Sequence, residues 1–177
     1  MKVYTFKRPF INKSQKEFAV YDHIGKEAGV MQRYFKSNIQ LATSAVINVS
    51  NVKVKDVHNH VSMDIKEKGI LQNLLFNKWD IVYRVDNEEH KFELHDKTKI
   101  QTNVKMIYSI GDRHVTVKDE IGDKTVRFFN SDNKIFAEAS YKSLIPPIEY
   151  EVKIFDENVH FCEISGIYFL LLLHKAD

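Results

Sequence analysis

Val159-His160-Phe161-Cys162-Glu163-Ile164-Ser165-Gly166-Ile167-Tyr168-Phe169-Leu170-Leu171-Leu172-Leu173-His174 is the most apolar stretch of the chain. At 100° per residue its large side chains surround the whole circumference of a helix, and a helix that is apolar all round is either buried or spans a membrane. A span needs about 20 predominantly apolar residues. Here the uninterrupted run is only 167–173, so burial is predicted. Asn158 is the expected N-cap, and His174 and Lys175 suit the C-terminal end of the helix dipole. A core strand over 168–173 competes with this reading, but the four leucines favour helix.

Upstream of that helix the pattern is different. Short runs rich in Val, Ile, Phe and Tyr recur at 2–7, 17–21, 29–35, 46–54, 61–66, 79–85, 90–94, 104–109, 114–118, 125–129, 135–141 and 148–155. Turn residues separate them, as in Asp22-His23-Ile24-Gly25, Gly111-Asp112 and Gly122-Asp123. Many short strands at regular spacing predict a sandwich or barrel. A parallel α/β winding is excluded, because no helix-length segments separate the strands. One interruption lies at Ser37-Asn38-Ile39-Gln40, which matches a capping box and predicts a short helix from Asn38. No linker divides residues 1–177, so one domain is expected.

The single cysteine, Cys162, cannot form an internal disulfide, and the N-terminus carries no secretory pattern. A cytoplasmic location is therefore expected. The net charge is only +2, yet residues 1–55 hold ten Lys or Arg against three acids. That asymmetry predicts a basic face for an anionic partner, unless strand pairing scatters the charges over several faces.

Chemical motifs are sparse. Asp56 with His58-Asn59-His60 is read as an exposed hairpin turn, since zinc would need further ligands. Cys162 is read as an inert core thiol. Trp79 is read as a core anchor; the competing reading joins it to Leu74-Leu75-Phe76 in an exposed apolar loop. The Tyr34-Phe35-Lys36 cluster beside Arg33 could stack bases, but no nucleic-acid module accompanies it, and nucleic acid is not expected as a partner. No nucleophile elbow, phosphate loop or dinucleotide fingerprint occurs, so neither catalytic residues nor a cofactor or metal are nominated, and the chain is read as a non-enzyme.

The order of elements, a dozen short strands and then one wholly apolar helix, resembles the tubby C-terminal-like fold of tubby-like proteins, phospholipid scramblases and the LURP-one-related family. The wording of residues 1–10, 29–36, 96–100 and 144–147 is similar to small bacterial members. The resemblance implies a mainly β fold, a closed antiparallel barrel of about twelve strands around a central hydrophobic C-terminal helix. It also implies a non-enzymatic binding domain for anionic phospholipid, peripheral to the inner membrane face, with a protein-interaction or scaffold module as the alternative. Headgroup candidates are Arg33, Lys36, Lys53, Lys55, Lys97 and Lys99, where Lys53/Lys55 and Lys97/Lys99 would each share a strand face at period two.

Overall fold

The computed structural model describes residues 1–8, 14–37, 40, 50–69, 77–86, 88–99, 103–142 and 148–175. Twelve strands run β1 (Lys2–Lys7), β2 (Phe18–Asp22), β3 (Glu27–Tyr34), β4 (Asn51–Asp56), β5 (Val61–Glu67), β6 (Lys78–Val85), β7 (Glu88–Asp96), β8 (Val104–Ile110), β9 (Arg113–Asp119), β10 (Thr125–Phe129), β11 (Ile135–Tyr141) and β12 (Glu149–Ile154). Each pairs antiparallel with its sequence neighbours, and β1 pairs with β12 to close the barrel. Closure removes the sheet edges that an open antiparallel sheet would expose. Period-two alternation sets which side chains enter. In β5, Val61, Met63 and Ile65 are buried while Ser62, Asp64 and Lys66 face outward.

The lumen is filled by helix α1 (Phe161–His174). Ile164, Ile167 and Leu170 on one side and Cys162, Ser165 and Phe169 on the other are 0–3 % exposed, so the helix is covered all round, as its all-round apolarity requires. Its aromatic residues meet rings from the wall. Phe161 lies 4.9 Å from Tyr4, Phe169 meets Phe18 edge-on at 5.0 Å, and Tyr168 meets Tyr150 edge-on at 5.9 Å. The helix packs most closely on β4 and β5. Gly166 permits this approach, because a Cβ there would sit 3.0 Å from Val54 Cγ2 and 3.2 Å from Met63 Sδ. Gly29 is tighter still, with Lys55 O at 2.2 Å and Phe161 Cζ at 2.7 Å from a Cβ position.

The helix starts two residues later than expected. His160 is the N-cap, and its Nδ1 accepts from Cys162 N–H at 3.3 Å; Asn158 instead lies in the preceding turn, where Asp156 accepts its N–H at 2.9 Å. Val159 is buried ahead of the cap. Trp79 is fully buried, as a core anchor should be, and Cys162 is enclosed with its thiol pushed up by burial. Half of the expected capping box is present: the Ser37 hydroxyl accepts from Gln40 N–H at 3.2 Å, but Gln40 Oε1 accepts from Lys36 N–H at 2.7 Å, one residue before the cap. The rest of that expected helix lies outside the described residues, as do 46–49 of the expected fourth strand and the 74–76 loop segment.

Strict antiparallel order sorts the connections by barrel end. Short turns at 23–26, 57–60, 86–87, 111–112 and 130–134, with the 155–160 passage into α1, lie at one end. The connections that leave β1, β3, β5, β7, β9 and β11 start at the other, where the C-terminus of α1 emerges. The first is the turn end of the barrel and the second the loop end.

Candidate functional site: a basic groove on the barrel wall

The outer faces of β3 to β6 gather Lys53, Lys55 and Arg84 around a concavity. Pairing of Lys55 with Val30 on one side and Ser62 on the other, and of Ser62 with Arg84, puts Lys55, Ser62 and Arg84 in one row across three strands. One step toward the loop end, Lys53 lies between Gln32 and Asp64. Adjacent strands are about 4.8 Å apart, so Lys55 and Arg84 backbones stand about 10 Å apart with a hydroxyl between them. The groove that these residues line encloses about 410 Å³, with Glu17 at its rim and Met31, Val54 and Met63 beneath. That volume is in the range of sites for small ligands.

The local electrostatics are set by partners. Lys55 meets Glu17 at 3.8 Å, both half-exposed, and Arg84 meets Glu89 at 2.6 Å. Lys53 lies over the Tyr34 ring at 4.8 Å. Asp64 is held by the Tyr34 hydroxyl at 2.6 Å and by Lys66 at 3.0 Å. Burial, and then the bond to Asp64, push the Tyr34 phenol far up, so it stays a donor. Exposed ion pairs of the Lys55–Glu17 kind contribute only about 0–1 kcal/mol. A phosphate, with more charge and more acceptor oxygens than one carboxylate, can therefore displace Glu17 at small cost.

The six nominated cations are distributed unevenly. Lys53 and Lys55 share an outward face of β4, as period two predicts. Arg33 faces the interior, 3 % exposed, with its guanidinium 5.1 Å from the Phe35 ring. Its charge acts on Glu67, a carboxyl that burial pushes up and that Ser50 N–H, His174, Lys36 and Arg33 pull back down. Lys36 donates to Glu67 O at 2.8 Å at the loop end. Lys97 and Lys99 do not share a strand face, because β7 ends at Asp96; both are exposed in the 97–103 connection. Three strand spacings, about 14 Å, separate β4 from β7. Arg84 completes the groove and was not nominated. Its outward position was readable from Ile81 and Tyr83 turned inward around it, but only the β4–β5–β6 register brings it beside Lys55.

A second concavity, about 640 Å³, lies on the opposite side of β7 between Glu93, His95, Lys97, Ser109 and His114. Its carboxylate, Glu93, is already held by Lys68 and by His95 at 2.9 Å. The Asp56–His60 turn is exposed, with His58 and His60 rings 5.8 Å apart. Among the described residues no group of three or more His, Cys, Asp or Glu side chains could hold a metal.

Charge is also segregated by barrel end. Among the described residues, the loop-end connections carry Arg8, Lys16, Lys36, Lys68, Lys97, Lys99, Lys124 and Lys142 against Glu17, Glu120 and Asp123. The turn-end connections carry Lys26 and Lys134 against Asp86, Asp112, Asp132, Asp156 and Glu157. The basic N-terminal third is thus divided: Lys26 stands at the turn end, and Arg8, Lys16 and Lys36 at the loop end.

The family model described as the Tubby C-terminal like domain matches residues 4–175. The chain belongs to that family. No curated protein and no solved structure matches the chain. Tubby C-terminal-like domains are binding domains, and in this one no described helix is long and apolar enough to cross a membrane. Because α1 occupies the lumen of this tubby C-terminal-like domain, ligand contacts fall to its outer wall and ends.

Proposed function

We propose that this domain is a non-enzymatic binding domain that takes the phosphorylated headgroup of an anionic phospholipid in the β3–β6 groove. The observation that carries this reading is the convergence of Lys53, Lys55 and Arg84 on one concave outer face, with Ser62 and Gln32 as neutral donors. Lysine supplies compact charge and three donors, and arginine supplies a planar fork that matches two phosphate oxygens. The family adds to the expectation of binding over turnover.

Vesicle co-sedimentation tests the reading. Phosphatidylcholine vesicles doped with a phosphoinositide retain the wild-type chain at low salt, and pure phosphatidylcholine does not. Lys53→Glu with Lys55→Glu abolishes that preference while thermal stability is kept. Equal retention of wild type and the double variant, or no preference for phosphoinositide, overturns it.

A further inference from the structure

The exposed apolar side chains are gathered at one end of the barrel. Met1, Tyr21, Ile24, Val57, Ile135 and Phe155 stand exposed at the turn end, and among the described residues only Ile121 matches them at the loop end. They are neighbours around the rim. Phe155 N–H donates to Phe136 O at 2.8 Å, which seats Phe155 beside Ile135 at the start of β11. The Lys2–Ile154 pair joins β12 to β1, and the Thr5–Tyr21 pair joins β1 to β2. Ile24 sits in the turn between β2 and β3, and Val57 N–H donates to Ala28 O of β3 at 3.0 Å. From β11 round to β4 is five strand spacings, so the apolar arc runs about 24 Å along the rim. Single scattered apolar side chains need no partner, but a run of neighbours bordered by polar groups marks an interaction surface.

The border is acidic. Asp22, Glu27, Asp132, Asp156 and Glu157 lie on the same turns, and none of them is in a salt bridge among the described residues. Lys26 and Lys134 oppose them, and Lys2 is turned to Glu157 O at 3.0 Å. Lys55 and Arg84, the groove cations nearest this end, are paired with Glu17 and Glu89. The positive end of the α1 dipole adds about half a charge and does not reverse the sign. An anionic bilayer takes up apolar side chains that are bordered by cations. Here charge complementarity selects a cationic polypeptide instead.

We propose that the arc from Ile135 to Val57 docks a basic amphipathic helix of a partner protein, its apolar stripe on Tyr21, Ile24 and Phe155 and its cations on Glu27, Asp132 and Glu157. A helix of about 16 residues covers the arc at 1.5 Å per residue, and a stripe at helical spacing supplies one apolar anchor per turn. This surface goes beyond the phospholipid reading and does not depend on it.

The test titrates the full chain into a fluorescent synthetic peptide of about 18 residues, Leu and Lys at amphipathic-helix spacing. Anisotropy is read at about pH 8, where imidazoles are neutral and the arc stays acidic. The wild-type chain binds the peptide saturably. Ile24→Ser with Phe155→Ser weakens binding about tenfold or more, and Asp132→Lys with Glu157→Lys weakens it in a way that shrinks as salt is raised. Ile24 and Phe155 are 73 % and 41 % exposed, so their replacement keeps the wild-type Tm. Ile121→Ser, at the loop end, leaves binding unchanged. The proposal is overturned if wild type does not bind the Leu and Lys peptide, if a matched Leu and Glu or Ser and Lys peptide binds as tightly, or if either arc variant binds as wild type does. It is also overturned by a dimer of the free chain that Ile24→Ser with Phe155→Ser splits, which assigns the arc to a second copy. A fluorophore on Ile24→Cys that shifts to the blue on phosphatidylserine vesicles assigns it to the bilayer and overturns it likewise.

Discussion

Replacing Glu163 by Gln removes a negative charge around which one end of the core is organised. Glu163 stands in the first turn of α1 and is 1 % exposed. Its Oε1 accepts from the Tyr108 hydroxyl at 2.5 Å, and its Oε2 accepts from Arg113 Nη2 at 2.6 Å. Burial keeps the Tyr108 hydroxyl protonated far above its ordinary range, and the carboxylate raises Arg113 against the opposing effect of burial. Arg113 Nη1 is also buried, and no acceptor meets it among the described residues. Removing one partner of a buried pair costs about 3–5 kcal/mol, because the other charge is stranded. Arg113 keeps 28 % of its side chain in solvent, and Gln can still accept one hydrogen bond, so the low end, about 3 kcal/mol, is expected. For a chain of this size that lowers Tm by about 6–12 °C. Thermal and urea unfolding followed by circular dichroism measure it. The double variant Glu163→Leu with Arg113→Leu strands no charge and costs less than Glu163→Leu and Arg113→Leu added together, giving a coupling of about 2 kcal/mol in that double-mutant cycle. A cost below about 1 kcal/mol for Glu163→Gln, or a double variant that costs the sum of the singles, refutes the reasoning.

The N-cap makes a pH-dependent contribution. Burial lowers the His160 pKa from 6.5, with Asp56 opposing and Lys2 assisting. A group whose folded pKa is depressed takes up its proton more readily when unfolded, so its stability is present above about pH 6.5 and is lost as pH falls through the folded value. His160→Asn keeps a cap and flattens the stability profile between pH 7 and pH 5, on titrating the unfolding midpoint at each pH. Cys162 reacts with a thiol reagent only at the rate of global unfolding, since its thiol is 0 % exposed and pushed up; rapid labelling under native conditions contradicts this. Gly166→Leu drives a side chain into Val54 and Met63 and costs about 3 kcal/mol or more in urea unfolding, whereas a loss under about 1 kcal/mol means that α1 does not lie against β4 and β5.

The fold was legible because two periodicities coexist in one chain. Alternation at period two marked the strands, often to within a residue or two, and the all-round apolarity of 161–173 marked the one element they enclose. The ends of elements were less legible. His160 rather than Asn158 caps α1: Val159 is buried ahead of the cap, and the helix begins two residues later. Arg33 was misjudged for a physical reason. Cations default to the surface, yet Met31 and Arg33 share a face at period two, and the interior supplies Arg33 with the Phe35 ring and the Glu67 charge. Arg84 and the polarity of the ends needed topology. A lone arginine in β6 carries no signal until register sets it across from Ser62, and connections alternate between ends only once every strand is known to be antiparallel.

An anionic headgroup should meet the wall at the β3–β6 groove. Titrating a soluble inositol bisphosphate into the isotope-labelled chain and following backbone amide shifts tests it most directly. Saturable shifts clustered at Gln32, Lys53, Lys55, Ser62 and Arg84, weakened by salt, are predicted. Shifts confined to the Glu93–His114 side of the barrel, or spread evenly over the lysines without saturation, would contradict the assignment of the groove.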